Sequence, residues 1–293
     1  MKEYTSWGRY PRASHKAIRN IFWRHDSLPD LSPLLPYGMG RSYGDSCLND
    51  GGALLATRGL SRFISFDSKS GVLKAEAGVT LEEVINFALP RGWFLPVTPG
   101  TKYVTLGGAV ANDVHGKNHH KSGTFGCFVR AFELVRSDGE RLECSPENEK
   151  DLYRATIGGL GLTGLVTWVE LQLIPVKGPY IDMVSLKFSS LEEFFEISAE
   201  FSSKPQYEYT VAWLDCVAGG EGFGRGIFMA GTHSDKSGGE RSCPKPQIGV
   251  PFDFPEIALN KLTIKAFNAL YYRRQREKEV KKCEHFNPFF YPL

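Results

Sequence analysis

The 293-residue sequence contains no apolar run near the roughly 20 residues that span a bilayer. It does not open on a basic leader followed by an apolar stretch either. Membrane spanning and a cleaved secretion signal are therefore not expected, and the chain reads as cytoplasmic or peripheral at a membrane surface. It also lacks an excess of one charge: 35 basic against 33 acidic residues leave a formal +2, too little for a nucleic-acid-binding surface. The six cysteines (Cys47, Cys127, Cys144, Cys216, Cys243 and Cys283) are dispersed without a C-x-x-C pair, which excludes a disulfide framework and predicts free thiols. A Walker A loop and a G-x-S-x-G elbow are missing too, so P-loop and nucleophile-elbow chemistry have no support.

Ordinary globular composition remains, 42% hydrophobic and 23% charged, with 31 glycines. The length suits two modest domains. Residues 71–77 alternate Leu73, Ala75 and Ala77 with Lys74 and Glu76, the period of a half-buried strand. Thr80-Leu-Glu-Glu83 is a capping box opening a helix with Leu81, Val84, Ile85 and Ala88 on one side, ending before Pro90. Asp138-Gly139 predicts a hairpin joining 132–136 to 141–144. A strand over 165–173 runs into Ile174-Pro-Val-Lys-Gly-Pro179, the best domain boundary. Beyond it, Ser190-Leu-Glu-Glu193 caps an aromatic helix and 207–215 alternates like a strand. Residues 219–251 are rich in glycine and proline, with 234–246 expected to be the most mobile loop. A helix over about 255–272 is expected to bury Ile257, Leu262, Ile264, Phe267 and Leu270 in part. It leads into Arg273–Lys282, six basic and two acidic residues that read as a solvated helix face with weak attraction to anionic headgroups. The sequence stops on the apolar Phe289-Phe-Tyr-Pro-Leu293, a segment that, exposed, would be expected to continue into more structure.

Chemistry concentrates in two glycine-bracketed segments, residues 37–45 and 99–120. Each sets bare backbone amides beside a few polar side chains, a way to hold a phosphate-bearing ligand without a Rossmann helix. Gly159-Leu-Gly161-Leu-Thr-Gly164 matches the letters of a Rossmann fingerprint but follows a helical stretch and precedes a strand, the reverse of what that site needs. It reads as a tight turn. His115-Gly-Lys-Asn-His-His120 gathers three imidazoles, yet Gly116 stands where a zincin has glutamate and no cysteine completes a tetrahedral set. No metal is expected.

Gly38-Met-Gly-Arg-Ser-Tyr-Gly-Asp45, Thr98-Pro-Gly-Thr101, Thr105-Leu-Gly-Gly108, His115–His120 with Ser122-Gly-Thr-Phe-Gly126, and Gly159–Gly164 together resemble the FAD-binding domain of the vanillyl-alcohol oxidase, or PCMH, superfamily. Within it, the unbroken His-Gly-Lys-Asn-His-His string is similar to that of the polyprenylphosphoryl-ribose 2′-oxidases. The resemblance extends over almost the whole chain, including Trp7-Gly-Arg9 and Tyr271-Tyr-Arg273, and is loosest between Gly219 and Pro251.

The resemblance implies an α+β fold: a PCMH-type FAD-binding domain of two α/β subdomains over 1–175, then part of an α+β substrate (cap) domain over 176–293. Relatives continue well past the position of Leu293, so a missing C-terminal part with open sheet edges is implied. Gly38, Met39, Gly40, Arg41, Ser42, Tyr43, Gly44, Asp45 and Ser46 are implied to wrap the FAD pyrophosphate. Pro99, Gly100, Thr101, Thr105, Leu106, Gly107, Gly108, Asn112, Asp113, His115 and Asn118 would line the other side of the cofactor, with Gly161, Gly164 and Val166. Covalent relatives often have histidine where this chain has Arg41, so FAD is expected to be non-covalent.

His115, Lys117 and Tyr43 are the implied catalytic groups, Lys117 either holding a substrate phosphate or tuning the flavin. The implied reaction oxidises the 2′-hydroxyl of a polyprenylphosphoryl-β-D-ribose to the 2-keto sugar, half of an epimerisation towards the arabinose donor of cell-wall arabinan. A short-chain-dehydrogenase-type reductase is the implied partner, and peripheral membrane association fits a lipid-linked substrate. Two alternatives stand beside this: an aldonolactone or alditol oxidase, resembling D-arabinono-1,4-lactone oxidase, and an inactive truncated FAD-binding fragment.

Overall fold

Strand β5 (Val72–Glu76) shows how sequence period becomes core: Leu73 and Ala75 are fully buried while Lys74 points away from that interior. Helix α1 (Leu81–Ala88) follows, capped as expected. Thr80 Oγ1 accepts the Glu83 N–H at 3.2 Å and a Glu83 carboxylate oxygen accepts the Thr80 N–H at 2.8 Å. Leu81, Val84, Ile85 and Ala88 are buried, each large side chain contributing about 1.5–3 kcal/mol. Pro90 sits in a single 3-10 turn that ends the helix.

The computed structural model describes residues 4–236 and 259–291. The chain divides into two compact units, Met1–Val176 and Lys177–Leu293. In the first, β1 (Ala17–Asn20) and β2 (Leu34–Tyr37) flank β3 (Ala53–Ala56) in a three-stranded parallel sheet. A five-stranded antiparallel sheet runs in the order β4 (Phe63–Asp67), β5, β9 (Leu165–Gln172), β7 (Val129–Val135), β8 (Arg141–Cys144). The short β6 (Trp93–Phe94) and β10 (Ile174–Pro175) pair with each other. Helices α2 (Leu106–Ala111), α3 (His119–Ser122) and α4 (Lys150–Thr156) complete the unit. Val135 pairs with Arg141 and Phe132 with Cys144, and Gly139 takes the left-handed φ of +89° that closes this hairpin.

The second unit is a four-stranded antiparallel sheet in the order β12 (Tyr209–Leu214), β13 (Gly226–His233), β11 (Tyr180–Phe188), β14 (Glu279–His285). Helix α5 (Leu191–Ser203) is capped by Ser190 Oγ, which accepts the Glu193 N–H. It covers a core of Val184, Phe188, Phe201, Phe228 and Ala230. Mixed helix and sheet in both units make the fold α+β, as expected.

Three local expectations need correction. Helix α6 spans Lys261–Arg274, and its Leu262, Phe267 and Leu270 are 79%, 63% and 69% exposed, with Ile264 also on the surface. The buried residue of this helix is Asn268, because the contact that holds it is polar. Ile257 lies outside the described residues. Arg273–Lys282 does not form one helix face: the helix ends at Arg274 and residues from Glu279 enter strand β14 as a charged sheet edge. Ser234, the first residue of the expected mobile loop, is buried and fixed, its N–H donating to Tyr180 O and its hydroxyl to Asp182 Oδ2; residues 237–246 lie outside the described residues. The aromatic run near the end is buried too, with Phe289 and Phe290 in helix α7 (Phe286–Phe290) packed on Tyr209. Five cysteines are free thiols, and Cys243 lies outside the described residues.

Candidate functional site

The first glycine segment leaves β2 at Tyr37, the second enters α2 at Thr105, and the two meet. Thr105 caps α2, its Oγ1 accepting the Gly108 N–H at 3.1 Å. The Gly107 N–H donates to Ala77 O at 2.8 Å, and a β-carbon on Gly107 would stand 3.1 Å from that of Ala77, so α2 starts hard against the end of β5. A β-carbon on Gly38 would lie 2.6 Å from Thr105 Oγ1. Gly40 has φ +61°, and a β-carbon there would fall 2.0 Å from the Tyr37 hydroxyl. That hydroxyl donates to Thr5 O at 2.7 Å, while the Trp7 N–H donates to Ser42 O at 2.9 Å. The N-terminal residues thus clamp the loop from one side.

Between the segments lies a cavity of about 300 Å³. Gly38, Met39, Gly40, Arg41, Ser42, Tyr43 and Ser46 line it from the first segment. Pro99, Thr101, Thr105, Gly107, Gly108 and Asn112 line it from the second, and Gly161, Gly164 and Val166 from the turn entering β9. Pro36, Cys47, Thr57, Ala77 and Leu165 also form its wall from outside the segments singled out in sequence, and Val104, Ala111, Val114 and Leu160 from inside them, although none of the nine is among the expected cofactor contacts. Thr57 and Ala77 carry no local signal; only the pairing of distant segments brings them in. The cavity shares Pro36, Gly161, Gly164 and Leu165 with a second one of about 590 Å³, bounded by Leu28–Leu35 and Arg136–Ser137.

Seven of the residues expected at the cofactor are not on this wall. Leu106, the first residue of α2, turns fully into the core. The Asp113 carboxylate accepts the Gly126 N–H at 2.8 Å, and the buried Asn118 amide donates to Pro96 O at 2.9 Å, so both serve the backbone. Gly44, Asp45 and Gly100 lie on exposed stretches. His115 is exposed, bridged to Thr124, its ring 5.5 Å from that of His119. Of the three expected catalytic groups, Tyr43 lines the cavity, with 81% of its surface exposed and its ring edge-on to Trp7 at 5.4 Å. Lys117 is half-buried and off the wall, and burial holds its ammonium pKa below the usual 10.5.

The electrostatics favour an anion. Arg41 Nε is buried without a hydrogen-bond partner, an orphan donor on the guanidinium that faces the Tyr103 ring at 5.7 Å. Burial pushes the Tyr37 phenol up to about 12 and raises the Cys47 thiol, so both stay neutral near pH 7. A cationic donor beside close-packed glycine amides suits a diphosphate, and the apolar Val104, Val114, Leu160 and Val166 suit a flat ring system. The residues present therefore fit a dinucleotide.

Residues 31–145 match the FAD binding domain family. The chain is 34% identical over 265 residues to decaprenylphosphoryl-β-D-ribose oxidase of Mycolicibacterium smegmatis, covering 87% of this chain and 57% of that protein. It is 30% identical over 147 residues to the Delta(24)-sterol reductase of Homo sapiens, covering 50% of this chain and 28% of the reductase. To a putative D-arabinono-1,4-lactone oxidase of Neurospora crassa it is 30% identical over 115 residues, 39% of this chain and 20% of the other. The chain thus spans little more than half the length of the mycobacterial relative. Among the described residues, no helix is long and apolar enough to cross a membrane.

Proposed function

We propose that this chain, whose residues 31–145 match the FAD binding domain family, holds FAD non-covalently in the Gly38–Thr105 cavity and oxidises a secondary hydroxyl of a polyprenylphosphoryl-β-D-ribose. The observation that carries the reading is the cavity wall itself, glycine amides and the orphan Arg41 donor, in a chain 34% identical to an oxidase of that substrate. Gly38–Ser42 and Arg41 would hold the pyrophosphate, and the adjoining cavity bounded by Leu28–Leu35 gives the adenosine half room. When bound, FAD supplies a hydride acceptor for the alcohol carbon. Arg41 stands where a covalent flavin would need histidine, and its guanidinium makes no bond to a ring carbon.

The protein's part in the chemistry is to place the sugar and take the hydroxyl proton. Tyr43 at the cavity mouth would contact the sugar. Lys117, whose ammonium pKa burial lowers, and His115 two residues before it lie off the cavity wall and would act, in proton transfer or in holding the sugar phosphate, only on a substrate that reaches beyond it. A keto product would pass to a separate reductase, of short-chain-dehydrogenase type, to complete an epimerisation towards an arabinose donor.

The test incubates FAD-loaded chain with prenylphosphoryl ribose and an electron acceptor. It is run alone and with the polypeptide matching the unaligned remainder of the mycobacterial relative. Flavin bleaching with formation of keto sugar supports the reading; neither, in both arms, overturns it. Acid precipitation reads the attachment, since non-covalent flavin stays in the supernatant. The similarity to a lactone oxidase over 115 residues supports a second reading, oxidation of a free aldonolactone, which bleaching by that substrate alone would favour.

A further inference from the structure

Helix α6 inverts the usual arrangement of a surface helix, in which the apolar stripe faces the core. Its inward side is polar and aromatic. Asn268 Nδ2 donates to the buried Asp215 at 2.7 Å, Tyr272 OH donates to Phe188 O at 3.1 Å, and the Tyr271 ring lies 4.7 Å from that of Trp213. Asp215 is itself held by Arg225 through two bonds of 3.0 and 2.8 Å, so the rotation of α6 about its axis is fixed. The outward side then carries Leu262, Ala266 and Leu270 at i, i+4 and i+8, with Phe267 beside them. Each of these is exposed, as is Leu259 just before the helix.

Charge narrows what such a face can meet. Lys261, Lys265, Arg273 and Arg274 lie on α6, the helix has no acidic residue, and none of the four is paired with a carboxylate among the described residues. A second copy would set four cations against four. An anionic bilayer instead offers phosphates to the cations and an acyl boundary to the leucines and phenylalanine. We propose that α6 is an interfacial helix that lies on an anionic lipid surface, burying Leu262, Phe267 and Leu270 with Arg273 and Arg274 at the headgroups and Lys261 and Lys265, on the stripe of Asn268, adding only to its positive field. This does not depend on the catalytic reading, and its test contains no substrate.

The whole chain is sedimented with vesicles of phosphatidylcholine, and with vesicles in which phosphatidylglycerol replaces part of it. Binding to the anionic vesicles is expected to be at least about tenfold tighter and to weaken as salt screens the cations. The triple change Leu262→Ser, Phe267→Ser and Leu270→Ser alters exposed positions only; it is expected to leave the thermal melt unchanged and lower vesicle binding about tenfold or more. Arg273→Glu with Arg274→Glu should act in the same direction. A polarity-sensitive dye on Phe267→Cys should shift to the blue only with anionic vesicles.

Wild-type protein that stays in the supernatant overturns the proposal, as does a triple variant that binds like wild type. A dye already in apolar surroundings without lipid would mean that residues 237–258 cover the face, and a dimer abolished by the triple change without vesicle binding would assign it to a second copy. Either result also overturns it.

Discussion

Gly38 and Thr105 touch across the two glycine segments so closely that a β-carbon on the glycine would stand 2.6 Å from the threonine hydroxyl oxygen. The same hydroxyl caps α2 and so cannot turn aside without freeing the Gly108 N–H. Gly38→Ala should therefore displace the first loop and weaken FAD binding by about tenfold or more, the scale of 1–3 kcal/mol for overpacking. Gly44→Ala is the control, since nothing lies within 4 Å of a β-carbon there, and it should bind like wild type. Titration of flavin fluorescence quenching reads both.

Arg41→Met removes the orphan donor while keeping an elongated side chain. A hydrogen bond to a charged group contributes about 1.5–3 kcal/mol, so the FAD dissociation constant should rise on the order of 10- to 100-fold. Unliganded protein should lose at most about 0.5–1 kcal/mol, for the contact of the guanidinium with the Tyr103 ring, because the Nε atom has no hydrogen-bond partner to lose. A fall in the apo melting temperature equal to the holo loss would refute the assignment of Arg41 to the ligand.

Acid should strike the second unit through His233. Burial lowers its pKa from 6.5 to about 4, so the folded state resists protonation that the unfolded chain accepts. The stability is fully present above about pH 6.5 and is lost as pH falls towards 4, a loss of roughly 3 kcal/mol. His233→Phe should flatten the dependence of the denaturation midpoint between pH 6.5 and 4. An unchanged slope would count against it.

Alkali should act on Tyr37, whose phenol burial pushes from 10.0 to about 12. Here the folded state holds its proton more tightly, so the stability is complete below pH 10 and declines as pH rises to 12, by about 2–3 kcal/mol. Tyr37→Phe should remove that decline while costing about 1 kcal/mol at neutral pH for the lost bond to Thr5 O. Equilibrium denaturation at pH 8 and pH 11 measures both effects.

What could be read from sequence was local. Thr80 with Glu83, Ser190 with Glu193, and Asp138-Gly139 each specify a cap or turn within four residues, and the structure shows each one. The two glycine segments were legible for the same reason, their backbones being restricted position by position. Leu106 was misplaced because a string such as Thr-Leu-Gly-Gly does not say which of its members a helix cap turns inward. Helix α6 was misread on its burial because apolar spacing defines a face and not what the face meets; the deciding contact, Asn268 to Asp215, joins residues 53 positions apart. Thr57, Ala77 and Leu160 reach the cavity by the same kind of distant pairing.

The pairing of β5 with β9, Val72 opposite Gln172 and Glu76 opposite Trp168, also sets a schedule for synthesis. The Gly161–Val166 wall of the cavity is made long after the Gly38 loop, a delay of the order of ten seconds at roughly 5–20 residues per second on the ribosome. From its own synthesis until β9 follows, β5 has β4 on one side and an unfilled ladder on the other, an edge open to pairing with another chain. The cavity wall is therefore complete only once β9 has paired with β5, so the first glycine loop waits on the last strand of the sheet for its opposite wall.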